Sequence, residues 1–131
     1  MRLVIDSNVW ISALVFGGMP RQVLELCVRN GHRIVLSPEL ITEVRRILHT
    51  KFPNFEIDFE ALLAALALNI EIVQLGSIEV HASRDTDDDK VIETAVVGQA
   101  EYIVSGDKDL LDPMRYKGIQ IVKPKQNSRY A

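Results

Sequence analysis

Five short apolar runs, separated by stretches of helical periodicity, restrict this chain more than any other feature of its sequence. The runs are Arg2–Asp6, Arg33–Ser37, Glu71–Leu75, Tyr102–Ser105 and Gly118–Val122. Leu3-Val4-Ile5 and Ile34-Val35-Leu36 are continuous rather than alternating, the pattern of strands buried on both faces. Between the runs, apolar residues return at helical spacing: Val23, Leu24, Cys27 and Val28; then Leu40, Ile41, Val44, Ile47 and Leu48; then Val91, Ile92, Ala95 and Val96. Strands alternating with helices predict an α/β fold whose central sheet is mainly parallel, five-stranded and covered on both faces. In such sheets, sites lie beyond the carboxyl ends of the strands.

Local signals punctuate this plan. Asn8 to Leu14 reads as a short helix, and Gly17-Gly18-Met19 as a turn before a helix with Pro20 at its first position. Asn30-Gly31 closes that helix in a left-handed conformation. Ser37 reads as an N-cap with Pro38 next to it. Lys51 to Asn54 breaks that third helix, and Ile57 to Leu68 reads as a fourth. A chain of 131 residues suits one domain, 1–131, that buries about two thirds of its unfolded surface. Residues 122–131 read as a partly flexible basic tail. The longest apolar run, Ala61 to Leu68, falls far short of the roughly twenty residues a membrane span needs. The N-terminus enters a strand without a signal-peptide pattern, so no membrane association and a cytoplasmic location are expected. The single cysteine, Cys27, sits in an apolar stripe and reads as a buried, inert thiol.

Acidic residues stand where the predicted elements begin or end. Asp6 directly follows Leu-Val-Ile, so it caps the next helix or binds something. Glu43 lies one turn into the third helix, at the edge of the stripe of Leu40 and Ile47, with Glu39 as the rival acid. Asp85, Asp87, Asp88 and Asp89 crowd one helix N-terminus, where the dipole favours acids without any function. Asp88 precedes Val91, Ile92 and Ala95 by three, four and seven positions, which aligns it with the buried stripe; Asp89 is rotated aside and stands second. Asp107 follows Ser105-Gly106, where glycine permits close approach of a ligand and Ser105 can bond a carboxylate. A tight turn capped by Asp107 or Asp109 is the plainer alternative. If these acids converge, they form a carboxylate cage that needs a hard divalent cation to neutralise it. His32, His49 and His81 show no ligand spacing, which disfavours zinc. Trp10 and Phe16 read as core or interface residues, with base stacking as the alternative.

The formal net charge is −3, which argues against tight non-specific polyanion binding. The distribution is uneven: Arg21, Arg29, Arg33, Arg45, Arg46 and Lys51 fall early, Arg115 to Arg129 is basic, and the middle is acidic. Basic rims around an acidic centre suit a polyanion held over a metal site; ordinary solvated faces would give the same pattern.

The segments VIDSNVWISAL, SPELITEVRRIL, DTDDDKVIETAV and YIVSGDKDLL resemble the PIN-domain family. The likeness is to its bacterial and archaeal branch of toxin components from toxin–antitoxin pairs. The resemblance spans almost the whole chain. It implies a three-layer α/β/α sandwich and a Mg²⁺- or Mn²⁺-dependent nuclease that acts on single-stranded RNA. It also implies an antitoxin protein partner and a homodimer. On this likeness the catalytic and metal-binding acids are Asp6, Glu43, Asp88 and Asp107. Asn8 and Ser105 support them, and Asp89 is the alternative third ligand. The middle of Asp85-Thr86-Asp87 departs from the family, which often carries proline there. A fold retained as an RNA- or protein-binding module with little turnover is the alternative function. Two aspartyl-phosphate chemistries fit less well. Asn8 stands where a haloacid-dehalogenase-type hydrolase needs its second Asp, and Lys108, directly after Asp107, is poorly placed for a receiver domain.

Overall fold

The structure is a computed structural model. It describes residues 1–76, 86–106, 115–116 and 118–124, with 86–89 and 115–116 described by their backbone. Strand β1 (Arg2–Ile5) leads into helix α1 (Ser7–Val15) and then α2 (Gly18–Arg29). Strand β2 (Arg33–Leu36) precedes α3 (Pro38–Lys51), a 3-10 turn at Pro53–Phe55 and α4 (Glu56–Ala65). A second 3-10 turn, Ala67–Asn69, delivers β3 (Ile70–Ile72). Helix α5 (Thr86–Val97) returns to β4 (Tyr102–Val104), followed by β5 (Arg115–Tyr116) and β6 (Ile119–Val122).

The sheet runs β3-β2-β1-β4-β6-β5. Every described pairing is parallel except β5 with β6. The expected five parallel strands are therefore present, and the sheet gains a sixth, antiparallel strand at its edge. Two residues, Arg115 and Tyr116, offer no periodicity from which that strand could be read. Connections from β1 to β2 to β3 run one way across the sheet, and the return from β3 to β4 runs the other. With right-handed crossovers, α1–α4 cover one face and α5 the other, which makes three layers. Helix α5 packs on β1, β2 and β4, while α1 packs on α2 and α3.

The central strands are buried because both faces of the sheet are covered. Leu3, Val4, Ile5, Ile34, Val35 and Ile103 are fully inaccessible. Trp10 belongs to this core, edge-on to Phe59 at 6.1 Å between ring centroids, whereas Phe16 is 75% exposed. Cys27 is buried, and burial pushes its thiol up to about 12, as an inert core cysteine requires.

Several element limits move for identifiable reasons. Helix α2 starts at Gly18 rather than Pro20. Pro20 still lies within the first turn, where its missing N–H would have had no helical partner. Its far end closes as expected: Gly31 has φ 70°, His32 N–H bonds Cys27 O at 2.8 Å and Gly31 N–H bonds Val28 O at 3.1 Å. This is the paired bonding of a Schellman cap. The third strand is Ile70–Ile72 rather than Glu71–Leu75, because its ladder stops where β2 stops, at Leu36 opposite Ile72. Val122, counted in the expected tail, instead ends β6 and is 1% exposed; residues 125–131 lie outside the described residues. No single helix among the described residues is long and apolar enough to cross a membrane.

Candidate metal centre at the carboxyl end of the sheet

Asp6 is the first residue past β1 and the N-cap of α1. Its backbone is extended, at φ −62° and ψ 151°, and its carbonyl accepts from Val9 and Trp10. The cap and ligand readings of this residue are thus not exclusive. Its Oδ1 accepts from the Ser7 N–H at 2.8 Å. Its Oδ2 accepts from the Ser105 hydroxyl, also at 2.8 Å. Asp6 is 2% exposed and Ser105 is fully buried. Bonds to both oxygens fix the plane of a buried carboxylate, as outer-shell donors do for carboxylates that bind metals.

Register explains how residues 6 and 105 meet. β1 pairs with β2 through Leu3 and Ile34, and with β4 through Ile5 and Val104. Continuing both registers past the strands aligns Ser37, Asp6 and Ser105 across three neighbouring chain segments. Their common face follows from alternation. A Cβ on Gly98, the residue just past α5, would lie 2.3 Å from Val35 Cγ1, so Val35 faces α5. Ser37, two residues on, faces the same way: its Oγ lies 2.8 Å from Thr94 Oγ1 of α5. Asp6 and Ser105 therefore line the face covered by α5.

Helix α5 descends from this end of the sheet, and its first turn contains the backbone of Asp88 and Asp89. Helix α3, capped at its start by Ser37 Oγ accepting from Leu40 N–H at 3.3 Å, carries Glu43, which is half-buried, while Glu39 is exposed. α3 packs against α1 and α5. Asn8 is exposed on the first turn of α1. The elements bearing Asp6, Glu43 and Asp88 thus pack on one another, and Asp6 and Ser105 touch. His81, Asp85, Asp107 and Asp109 lie outside the described residues, as do the side chains of Asp87, Asp88 and Asp89. Among the described residues no group of three or more His, Cys, Asp or Glu is arranged to hold a metal.

From sequence, Ser37 is a helix cap, and Thr94 and Glu93 have no role. Both α5 residues are buried. Glu93 accepts the Gly76 N–H at 2.9 Å and so ties the segment after β3 to α5. A polar pair, Glu93-Thr94, within the apolar stripe of α5 is the available signal. The basic residues partly resolve into ordinary surface pairs. Arg45 donates two bonds to Glu60, at 2.8 and 2.7 Å. These bonds raise the guanidinium pKa and hold the Glu60 carboxyl below its usual range. Arg21 lies 3.7 Å from Glu25. The two apolar stripes on α2 and α4 do not close fully on each other. They flank an open groove of about 640 Å³ lined by Leu14, Leu24, Val28, Ala61, Leu62 and Leu66.

An α/β/α sheet with a buried, hydrogen-bonded acid beyond its central strand defines a class of carboxylate-bearing α/β domains. Comparison narrows that class. A PIN domain family model matches residues 2–109. An uncharacterized protein of Methanocaldococcus jannaschii, MJ1680, is 30% identical over 115 residues, covering 85% of this chain and 74% of that protein. A chain from the crystal structure of VapBC2 of Rickettsia felis, bound to a DNA fragment from their promoter, superposes with a TM-score of 0.65. That likeness spans 94% of this chain and 98% of the other at 13% identity. The chain belongs to the PIN domain family, whose members are in general nucleases.

Proposed function

We propose that this protein is a metal-dependent endoribonuclease that hydrolyses phosphodiester bonds of single-stranded RNA, and that it is the toxin of a toxin–antitoxin pair. The observation that carries this reading is the buried Asp6 carboxylate, oriented by Ser105 and Ser7 at the carboxyl end of the central strand of a PIN domain. Its donors are hard oxygens, which suit Mg²⁺ or Mn²⁺ rather than zinc. Asp6, Asp88 and Asp107 would hold the cation directly or through water, with Glu43 on the side of the attacking water. Asp89 is the alternative to Asp88 on the same helical turn. Such a cation, when bound, supplies Lewis acidity at the phosphoryl group and acidifies water. Ser105 orients Asp6, and Asn8, exposed on the first turn of α1, supports the acids. An antitoxin partner accompanies the toxin reading, supported by the fold shared with a chain of the VapBC2 complex; a homodimer is proposed with it. A cytoplasmic location goes with an RNA substrate.

The test is cleavage of a mixed panel of tRNA, rRNA and mRNA, with end mapping, in Mg²⁺, in Mn²⁺ and in excess chelator. The expected result is metal-dependent cleavage at defined sites, abolished in Asp6→Asn. RNA binding without cleavage in either metal would leave a binding module instead. Undiminished cleavage by a rigorously purified Asp6→Asn protein would refute the site.

A further inference from the structure

A directed chain of hydrogen bonds joins the two helices that carry the site acids. Thr94 Oγ1 donates to the Lys90 carbonyl at 2.7 Å. A hydroxyl has one proton, and a carbonyl can only accept, so that proton is committed. The 2.8 Å contact between Ser37 Oγ and Thr94 Oγ1 must then be a bond donated by Ser37. Ser37 Oγ in turn accepts the Leu40 N–H of α3. The order is fixed: Leu40 N–H to Ser37, Ser37 to Thr94, Thr94 to Lys90 C=O. Both hydroxyls are fully buried, where such bonds reinforce one another and a missing partner is costly.

The two ends of this chain matter for the centre proposed above, on which this inference rests. One end is the first turn of α3, the helix that bears Glu43. The other is the carbonyl of Lys90, two residues after Asp88. Ser37 also stands in register with Asp6 across the sheet. The geometry points to Thr94 as a positioning residue of the metal centre: through Ser37 its hydroxyl sets the acid-bearing start of α5 against α3 and the Asp6 row. Apolar packing around Val91, Ile92 and Ala95 holds α5 on the sheet. Packing alone is tolerant of small slides along a helix axis, and a directed bond is not.

Thr94→Val keeps the branched shape and removes the hydroxyl. Thr94→Ser keeps the hydroxyl. Mn²⁺ affinity by calorimetry and the melting temperature of the metal-free protein are measured for both and for the wild type. Thr94→Val is expected to bind Mn²⁺ about fivefold more weakly, the ratio that one neutral hydrogen bond represents. Its kcat on RNA should fall with KM unchanged, and Thr94→Ser should restore Mn²⁺ affinity to near the wild-type value. Ser37→Gly removes the other hydroxyl while leaving a serviceable N-cap residue. It is expected to match Thr94→Val and carries the test if the valine variant does not fold. A Thr94→Val protein with a lowered melting temperature but unchanged Mn²⁺ affinity overturns the inference and leaves the proposed function standing. A wild-type protein that binds no Mn²⁺ overturns both.

Discussion

The two ends of the sheet handle charge in opposite ways. At the amino end, opposite charges meet at the surface. Arg2 forms an ion pair with Glu71 across β2, and its side chain donates to the Gly98 carbonyl at 2.8 Å. Its backbone N–H donates to Glu101 Oε1 at 3.3 Å. The Arg2 guanidinium pKa is raised and the Glu71 carboxyl is held low, chiefly by their hydrogen bond. At the carboxyl end, the buried Asp6 is oriented by the hydroxyl of Ser105 and a backbone N–H, beneath the helix start that carries Asp88 and Asp89. Neutralised pairs in solvent serve stability modestly. A buried acid with both oxygens fixed by hydrogen bonds is costly to desolvate, and such groups concentrate at functional sites.

Each substitution below disturbs one end and should spare the other. Asp6→Asn should lower metal-dependent RNA cleavage by at least about a hundredfold, a loss at the upper end of what outer-shell changes alone produce. Its circular dichroism spectrum should stay native; a collapsed spectrum would mean the acid is structural. Ser105→Ala should weaken Mn²⁺ binding by about tenfold, within the range for removing a donor to a metal-binding carboxylate, as read by calorimetry. Unchanged affinity would sever Ser105 from the centre. Gly98→Ala works at the other end. Its Cβ would meet Val35 Cγ1 at 2.3 Å, so chemical denaturation should show a loss of about 1–3 kcal/mol from overpacking. Mn²⁺ affinity in the folded fraction should not change.

The smallest effect concerns acid. Glu71 and Glu60 have depressed pKa values in the folded state, so their contribution is present above the ordinary carboxylate range. It fades as pH falls through the lower folded values. Arg2→Met should therefore flatten the acid limb of a melting-temperature profile slightly, below about pH 4, and leave the pH dependence of cleavage intact. A change in the cleavage profile would show that the two ends are coupled.

Strand β1 and the cap of α3 are legible in the sequence because their causes are local. Leu3-Val4-Ile5 is continuous, Ser37-Pro38 starts a helix by its own chemistry, and Gly31 ends one. Asp6 stands out because an acid after such a strand has few roles. Strand β3 departs from its expected limits because its length is dictated by β2, far earlier in the chain, and not by its own side chains. Strand β5 is illegible because two residues paired to a neighbour carry no pattern. The fourth helix ends at Ala65, short of the expected Leu68. Leu66 and Leu68 continue the apolar run with no glycine or proline to mark a stop, yet a 3-10 turn at Ala67–Asn69 intervenes.

The sequence by itself determined the alternation of strands and helices, the buried central strand and the acid that ends it. These follow from side-chain periodicity and capping, which act over a few residues. Only the tertiary structure decided that Ser105 bonds Asp6 and that Ser37 and Thr94 link two helices. Those contacts depend on strand order, register and the face that α5 covers. Such features are set by the packing of distant segments, and no local pattern encodes them.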